Sequence, residues 1–206
     1  MKQIFVVGDS ISIHYDPYLK KMLVGKLGYD RKGGTQEALM DLDRAVGANG
    51  GDSRLVLKYL TAELPKIRNQ AEILMVNCGL HDIRTDQVTG AKQVGAAEYR
   101  DNLKKIIDLA QPAGLQLIWV RTTPVDTKQH NSHSSEFFRF AEDVIAYNQI
   151  ADRIMLEHQV PLIDLYTFTR NLGMDLYCDH VHFREEIRML QAAFIVGNLW
   201  GIIGEQ

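Results

Sequence analysis

Three polar segments carry the residues through which this sequence can do nucleophilic chemistry. Gly8-Asp9-Ser10 follows the apolar run Ile4-Phe5-Val6-Val7, Asn77-Cys78-Gly79-Leu80-His81-Asp82 follows the run Ile73 to Val76, and Asp179-His180-Val181-His182 lies near the C-terminus. A serine hydroxyl is a weak nucleophile and needs a base within hydrogen-bond reach, itself held by a third group. Asp179 and His182 are three apart, so a turn can set the carboxylate beside the imidazole and fix its tautomer. Ser10 as nucleophile, His182 as base and Asp179 as its orienting partner form the set this spacing favours. Gly-Asp-Ser recurs at Gly51-Asp52-Ser53, but no apolar strand precedes that copy, and it reads as the cap of a helix running through Leu55, Leu57 and Leu60. Asp9 is assigned to the backbone donors of its own turn and given no proton-transfer role.

The elements that must position these residues alternate short apolar runs with helical periods, as βα units around a parallel sheet do. Ile4 to Val7 and Ile73 to Val76 are continuously apolar, and Leu115 to Val120 and Val160 to Leu165 are apolar but for Gln116 and Asp164, as strands buried on both faces should be. A fifth strand is needed between Leu27 and Val46 and is placed near Arg44 to Val46. Phe137, Phe140, Ala141, Val144, Tyr147, Ala151, Ile154 and Met155 share one helical face, predicting a helix from about Ser135 to His158. Further helices are expected over Tyr99 to Ala110, with Pro112 as a stop signal, and over Arg184 to Leu199. Thr123 to Ser135 reads as a polar loop. Ligands of open α/β sheets bind beyond the carboxyl ends of the strands, and there all three polar segments fall.

Gly8-Asp9-Ser10 resembles the first block of the SGNH (GDSL-like) hydrolases, and Asp179-x-x-His182 their last block. Gly51 resembles the second-block glycine, and Gly79-Leu80-His81-Asp82 the third block, Gly-x-Asn-Asp, so the resemblance covers nearly the whole chain. It implies a single domain over residues 1–206, a three-layer α/β/α sandwich on a five-stranded parallel sheet, flavodoxin-like in arrangement. It implies an esterase whose oxyanion hole uses the backbone N–H groups of Ser10 and Gly51. His81 stands where the family pattern has an asparagine donor; a neutral imidazole also donates one N–H, so His81 is the third candidate. Asn77, Asp82 and Thr123 are candidate substrate contacts at strand ends. The Thr122-Thr123-Pro124-Val125 segment and the closing Asp-x-Val-His-Phe context resemble carbohydrate esterases, which points to small acyl groups, acetyl foremost, on sugars.

Bulk properties narrow the field. With 46% hydrophobic and 24% charged residues and a formal net charge of -3, the chain has ordinary globular composition and no basic stripe for nucleic acid. Charged residues are expected to interrupt every apolar run before it can span a bilayer. No basic, apolar and cleavage regions of a signal peptide precede Ile4, which suggests a cytoplasmic protein. Cys78 and Cys178 form no CxxC pair and read as buried reduced thiols. No GxGxxG or GxxxxGK[ST] fingerprint occurs, and the triad needs neither metal nor organic cofactor. His180-x-His182 with Asp179 or Asp82 could instead ligate a metal, whereas His130 and His133 read as a solvated loop. A non-catalytic carbohydrate-binding protein and an acyltransferase are compatible with the same residues; the oligomeric state is not legible.

Overall fold

Four of the five strands form where the sequence is predominantly apolar. The computed structural model describes residues 1–134 and 136–204. In chain order the elements are β1 (Gln3–Val7), α1 (Ser10–Leu23), β2 (Gly28–Arg31), α2 (Thr35–Met40), α3 (Ser53–Ile67), β3 (Ile73–Val76) and α4 (Ala96–Ala110). They continue with β4 (Gln116–Val120), α5 (Thr127–His133), α6 (Ala141–Glu157), β5 (Leu162–Ile163), α7 (Leu165–Arg170) and α8 (Glu185–Gly204). The strands pair in parallel in the order β2-β1-β3-β4-β5. From β1 the chain moves outward to β2, then returns to the other side of β1 and proceeds to β5. Right-handed crossovers in opposite directions put their helices on opposite faces. Accordingly α1 packs with α8 on one face, while α3, α4 and α6 pack in sequence on the other. Both faces of the central strands are therefore covered, and β3 is buried at every position.

The fifth strand is a correction. It is Gly28–Arg31, at the edge of the sheet, whereas Arg44 to Val46 lies in a stretch of turns. Of its four residues only Arg31 is buried, so it carries no apolar run to read. It is held instead by polar ties to α1: Arg31 Nη1 reaches Asp16 Oδ1 and Ser12 O at 3.1 Å each, and the Tyr29 hydroxyl donates to Asp16.

Three further expectations change. The helix expected from Ser135 begins at Ala141; Ser135 itself lies outside the described residues. Phe138 exchanges both backbone hydrogen bonds with Thr85 (2.8 and 2.9 Å), which holds that segment extended despite its helix-like apolar spacing. The loop expected over Thr123 to Ser135 contains α5, capped by Asp126 Oδ1 on the Gln129 amide at 2.8 Å. Helix α8 is long and apolar enough, by length and composition alone, to cross a membrane, so charges do not interrupt every run. Its face of Ile187, Ala192, Ile195 and Leu199 is buried in the core, while Met189, Leu190 and Trp200 are exposed. Of the two free thiols Cys78 is buried, but Cys178 is exposed.

The turn after β3 depends on a glycine. Gly79 has φ +151°, and a Cβ there would come 2.2 Å from Thr122 Oγ1. Thr122 cannot yield freely, because Asn148 holds both its N–H and its C=O, at 3.0 and 2.8 Å. Gly79→Ala is expected to destabilise the fold by about 1–3 kcal/mol; an unchanged urea midpoint would contradict this packing.

Candidate active site

Ser10 is the first residue of α1, so the end of β1 delivers its side chain to the rim of the sheet. Asp9 caps that helix, its Oδ1 accepting from the Ile11 amide at 3.0 Å, as its turn chemistry predicts. At the far end of the chain, Asp179 organises a tight turn. Its Oδ1 accepts from the amides of Val181 and His182 at 2.8 and 2.7 Å, while Oδ2 lies 2.8 Å from His182 Nδ1. One carboxylate thus closes the turn and orients the ring, which is the physical content of the three-residue spacing. His182 Nε2 lies 2.9 Å from Ser10 Oγ, and the imidazole is buried. Burial alone would raise the Asp179 pKa, but the hydrogen bond and charge of His182, with the two turn amides, hold it below the ordinary carboxylate range. An ionised Asp179 keeps the proton on Nδ1 and turns the Nε2 lone pair toward the serine.

The groups expected to donate to an oxyanion are the Ser10 and Gly51 amides and the His81 ring. The Ser10 amide, at the N-terminus of a 14-residue helix, has no hydrogen-bond acceptor among the described residues. Gly51 is drawn close because the Gly50 amide donates to Gly8 O at 2.8 Å. The Gly51 amide itself donates to Asn49 Oδ1 at 3.0 Å, so serving an oxyanion requires sharing or exchanging that bond. His81 is buried, and burial together with the charges of Arg84 and Arg139 pushes its pKa well down, leaving a neutral ring. Neither of its ring nitrogens has a hydrogen-bond partner among the described residues.

The candidate substrate contacts fall differently. Asn77 Nδ2 donates to Val120 O at 2.9 Å, stapling the ends of β3 and β4. Asp82 is fully buried, and both its oxygens accept from the Ser53 amide, at 2.9 and 3.1 Å. It secures the start of α3. Thr123 is buried, and its Oγ1 has no partner among the described residues.

A second histidine–aspartate pair flanks the first, and sequence reasoning does not find it. His180 Nε2 lies 3.0 Å from Asp43 Oδ2, and its Nδ1 lies 2.7 Å from His130 Nδ1. His130, expected in a solvated loop, is fully buried, because α5 turns it inward against Phe137 and His180. Arg139, equally unexpected, is buried with Nε donating to Leu80 O at 2.8 Å and without an ion pair among the described residues. Asp179, His180 and His182 offer ligand atoms within 4.8 Å of one another, the grouping on which a metal site would rest. Their hydrogen bonds to one another, to Asp43, to His130 and to Ser10 already occupy those atoms. A cleft of about 520 Å³ opens beside His180, between Asp43, Arg84 and Phe137. The His180-x-His182 spacing hints at this neighbourhood; Asp43 and Arg139 carry no sequence signal of their own.

Burial raises the Asp82 pKa from 3.8 to about 7, the Ser53 bonds offsetting only part of the effect. The stability this group contributes is therefore full below its unfolded value and lost as pH rises through about 7. Relative to Asp82→Asn, the wild type should lose stability between about pH 4 and pH 8. Urea midpoints that differ by a constant amount across that range would refute the assignment.

Comparison of the sequence with protein-family models and with curated proteins finds no match. Comparison of the fold does. A lipase/acylhydrolase from Enterococcus faecalis superposes with a TM-score of 0.72 at 18% identity, over 98% of this chain and 96% of the other. The acetyl xylan esterase AlAXEase gives a TM-score of 0.69 at 13% identity, over 95% and 98%. A member of the lipolytic protein G-D-S-L family from Veillonella parvula gives 0.66 at 16%, over 95% and 96%. With its 2-1-3-4-5 parallel sheet between helical layers, the chain has the SGNH, or GDSL-like, hydrolase fold.

Proposed function

We propose that the protein is a serine carboxylic-ester hydrolase that removes small acyl groups, acetyl foremost, from carbohydrate hydroxyls. The observation that carries the reading is the continuous relay from Asp179 Oδ2 to His182 Nδ1 at 2.8 Å and from His182 Nε2 to Ser10 Oγ at 2.9 Å. His182 takes the hydroxyl proton as Ser10 Oγ attacks the ester carbonyl, and Asp179 stabilises the imidazolium without accepting its proton. The negative charge on the former carbonyl oxygen is met by the Ser10 amide, with Gly51 and His81 as further donors. As the tetrahedral intermediate collapses, the C–O bond to the alcohol breaks and His182 returns the proton to the leaving oxygen. Water then attacks the acyl-enzyme with His182 again as base, releasing the acid and restoring Ser10. The acetyl and carbohydrate elements are supported by the segment Thr122 to Val125, by the Asp-x-Val-His-Phe ending, and by the likeness of the fold to the acetyl xylan esterase AlAXEase.

Hydrolysis of p-nitrophenyl acetate, butyrate and octanoate tests this reading. Turnover should favour the short chain and vanish in Ser10→Ala; equal rates for wild type and variant on every chain length would sink it. Asp179→Asn should lower kcat by about 10⁴-fold through loss of the correct tautomer. His81→Ala should lower it about 100-fold if the imidazole donates to the oxyanion, and an unchanged rate removes His81 from that role.

A further inference from the structure

Asp179 orients His182 within its own turn, but that bond does not set the distance of the turn from Ser10. The turn lies between α7 and α8, and Met174, Asp175 and Asp179 are exposed, so bonds to other segments must hold it. On one side the Tyr177 hydroxyl donates to Pro124 O at 2.9 Å, Gln129 Nε2 donates to Asp179 O, and His180 Nδ1 meets His130 Nδ1 at 2.7 Å. These ties all lead to the stretch from the end of β4 into α5. Among the described residues, positions 176–183 reach the first half of the chain through two hydrogen bonds: His182 Nε2 to Ser10 Oγ, and His180 Nε2 to Asp43 Oδ2 at 3.0 Å.

Asp43 is where the other walls of the site meet. One residue before it, Leu42 O accepts from Asn49 Nδ2 at 3.0 Å, and Asn49 Oδ1 accepts from the Gly51 amide at 3.0 Å. Arg84 Nη2 donates to the Asp43 carbonyl, while the Arg84 amide donates to His81 O at 3.3 Å within the turn after β3. The Asp43 carboxylate is ionised: burial alone would raise its pKa, but the hydrogen bond and charge of His180, with the charges of Arg139 and His182, hold it below the ordinary carboxylate range. It therefore accepts from His180 Nε2–H. Burial foremost pushes the His130 pKa down to about 3, so the chain Asp43–His180–His130 ends on a neutral ring.

We propose that Asp43 and His180 are positioning residues: their hydrogen bond locks the turn that carries His182 to the segment that leads to Gly51, and so sets the reach of the base to Ser10; this rests on the serine-esterase reading. One residue separates His180 from His182, and the two rings stand edge-on with centroids 5.9 Å apart, so a displaced His180 displaces His182. A misplacement of about 1 Å at a reacting group costs on the order of 100-fold in rate. The loss falls on kcat, since the base stands off while the surfaces that bind substrate stay as they are. Asp43 is also replaceable without breaking its own segment. Its side chain is 38% exposed, and its backbone bonds, N–H to Asp41 Oδ1 at 3.1 Å and C=O from Arg84, do not involve its carboxylate.

Values of kcat and KM for p-nitrophenyl acetate, measured well below the unfolding transition, test the proposal. Asp43→Ala should lower kcat about 10- to 100-fold with KM within about 2-fold. Asp43→Asn, whose amide oxygen still accepts from His180, should recover to within about 3-fold of wild type. A loss as deep as that of the alanine variant would overturn positioning in favour of a role for the charge. His180→Phe keeps a ring in place without its bond to Asp43, and should lose as much as Asp43→Ala. Adding Asp43→Ala to His180→Phe should cost less than about 2-fold more, because the bond is already gone. Losses that multiply, or a KM that rises while kcat holds, would overturn the proposal. Wild-type rates in Asp43→Ala and His180→Phe, with Ser10→Ala inactive, would overturn it and leave the esterase standing. No Ser10-dependent turnover would overturn the esterase reading, and the positioning role with it.

Discussion

The arrangement depends on one topological constraint: the direction in which the chain adds strands to the sheet reverses between β1 and β3. Because α1 crosses on one face and α3 on the other, the chain segments leaving these neighbouring strands diverge and leave a crevice at their carboxyl ends. The Gly8–Ser10 turn and the Asn77–Asp82 turn form two of its walls without special strain in the strands themselves. The Gly50 amide, bonded to Gly8 O, brings in the third. Only His182 arrives from elsewhere, on a turn between α7 and α8.

Polar groups around this crevice divide between framework and chemistry, and their hydrogen bonds separate the two. Asp9, Asn77, Asp82 and Asn148 are buried and commit polar atoms to backbone groups of adjacent turns. Asp179 combines both tasks in one carboxylate, which explains why it sits on a turn residue exposed enough to stay ionised. Arg139 falls in neither group: it supports Leu80 O, next to His81, yet its Nη1 is buried without a partner among the described residues. A cation kept under those conditions costs several kcal/mol unless nearby charges compensate, and Asp9, Asp43 and Asp179 are the acids whose field reaches it.

Much of this arrangement is legible in the sequence wherever burial writes a pattern. Strands that bury apolar side chains appear as apolar runs, and so β1, β3, β4 and, at the far edge of the sheet, β5 can be placed. The edge strand β2 cannot, because Tyr29 and Arg31 are held through polar contacts with α1 and not through apolar burial. The helix start at Ala141 is hidden for the opposite reason: Phe137 and Phe140 have helical spacing, but the pairing of Phe138 with Thr85 overrides it. In the site, Ser10, Asp179 and His182 can be named because a strand-then-turn context and a three-residue spacing each have a local cause. The Asp43–His180–His130 chain joins three distant segments, and no local pattern announces a contact of that kind.

The bond between Ser10 and His182 joins residues 172 positions apart. On a ribosome, where structure forms from the N-terminal side onward, the serine emerges long before the imidazole that would activate it. A nascent chain that ends short of the Asp179 turn therefore carries an unactivated hydroxyl, however far its sheet has assembled. The contact closes only when that turn docks, so Ser10 meets His182 late in synthesis, after the strands around it are already in place.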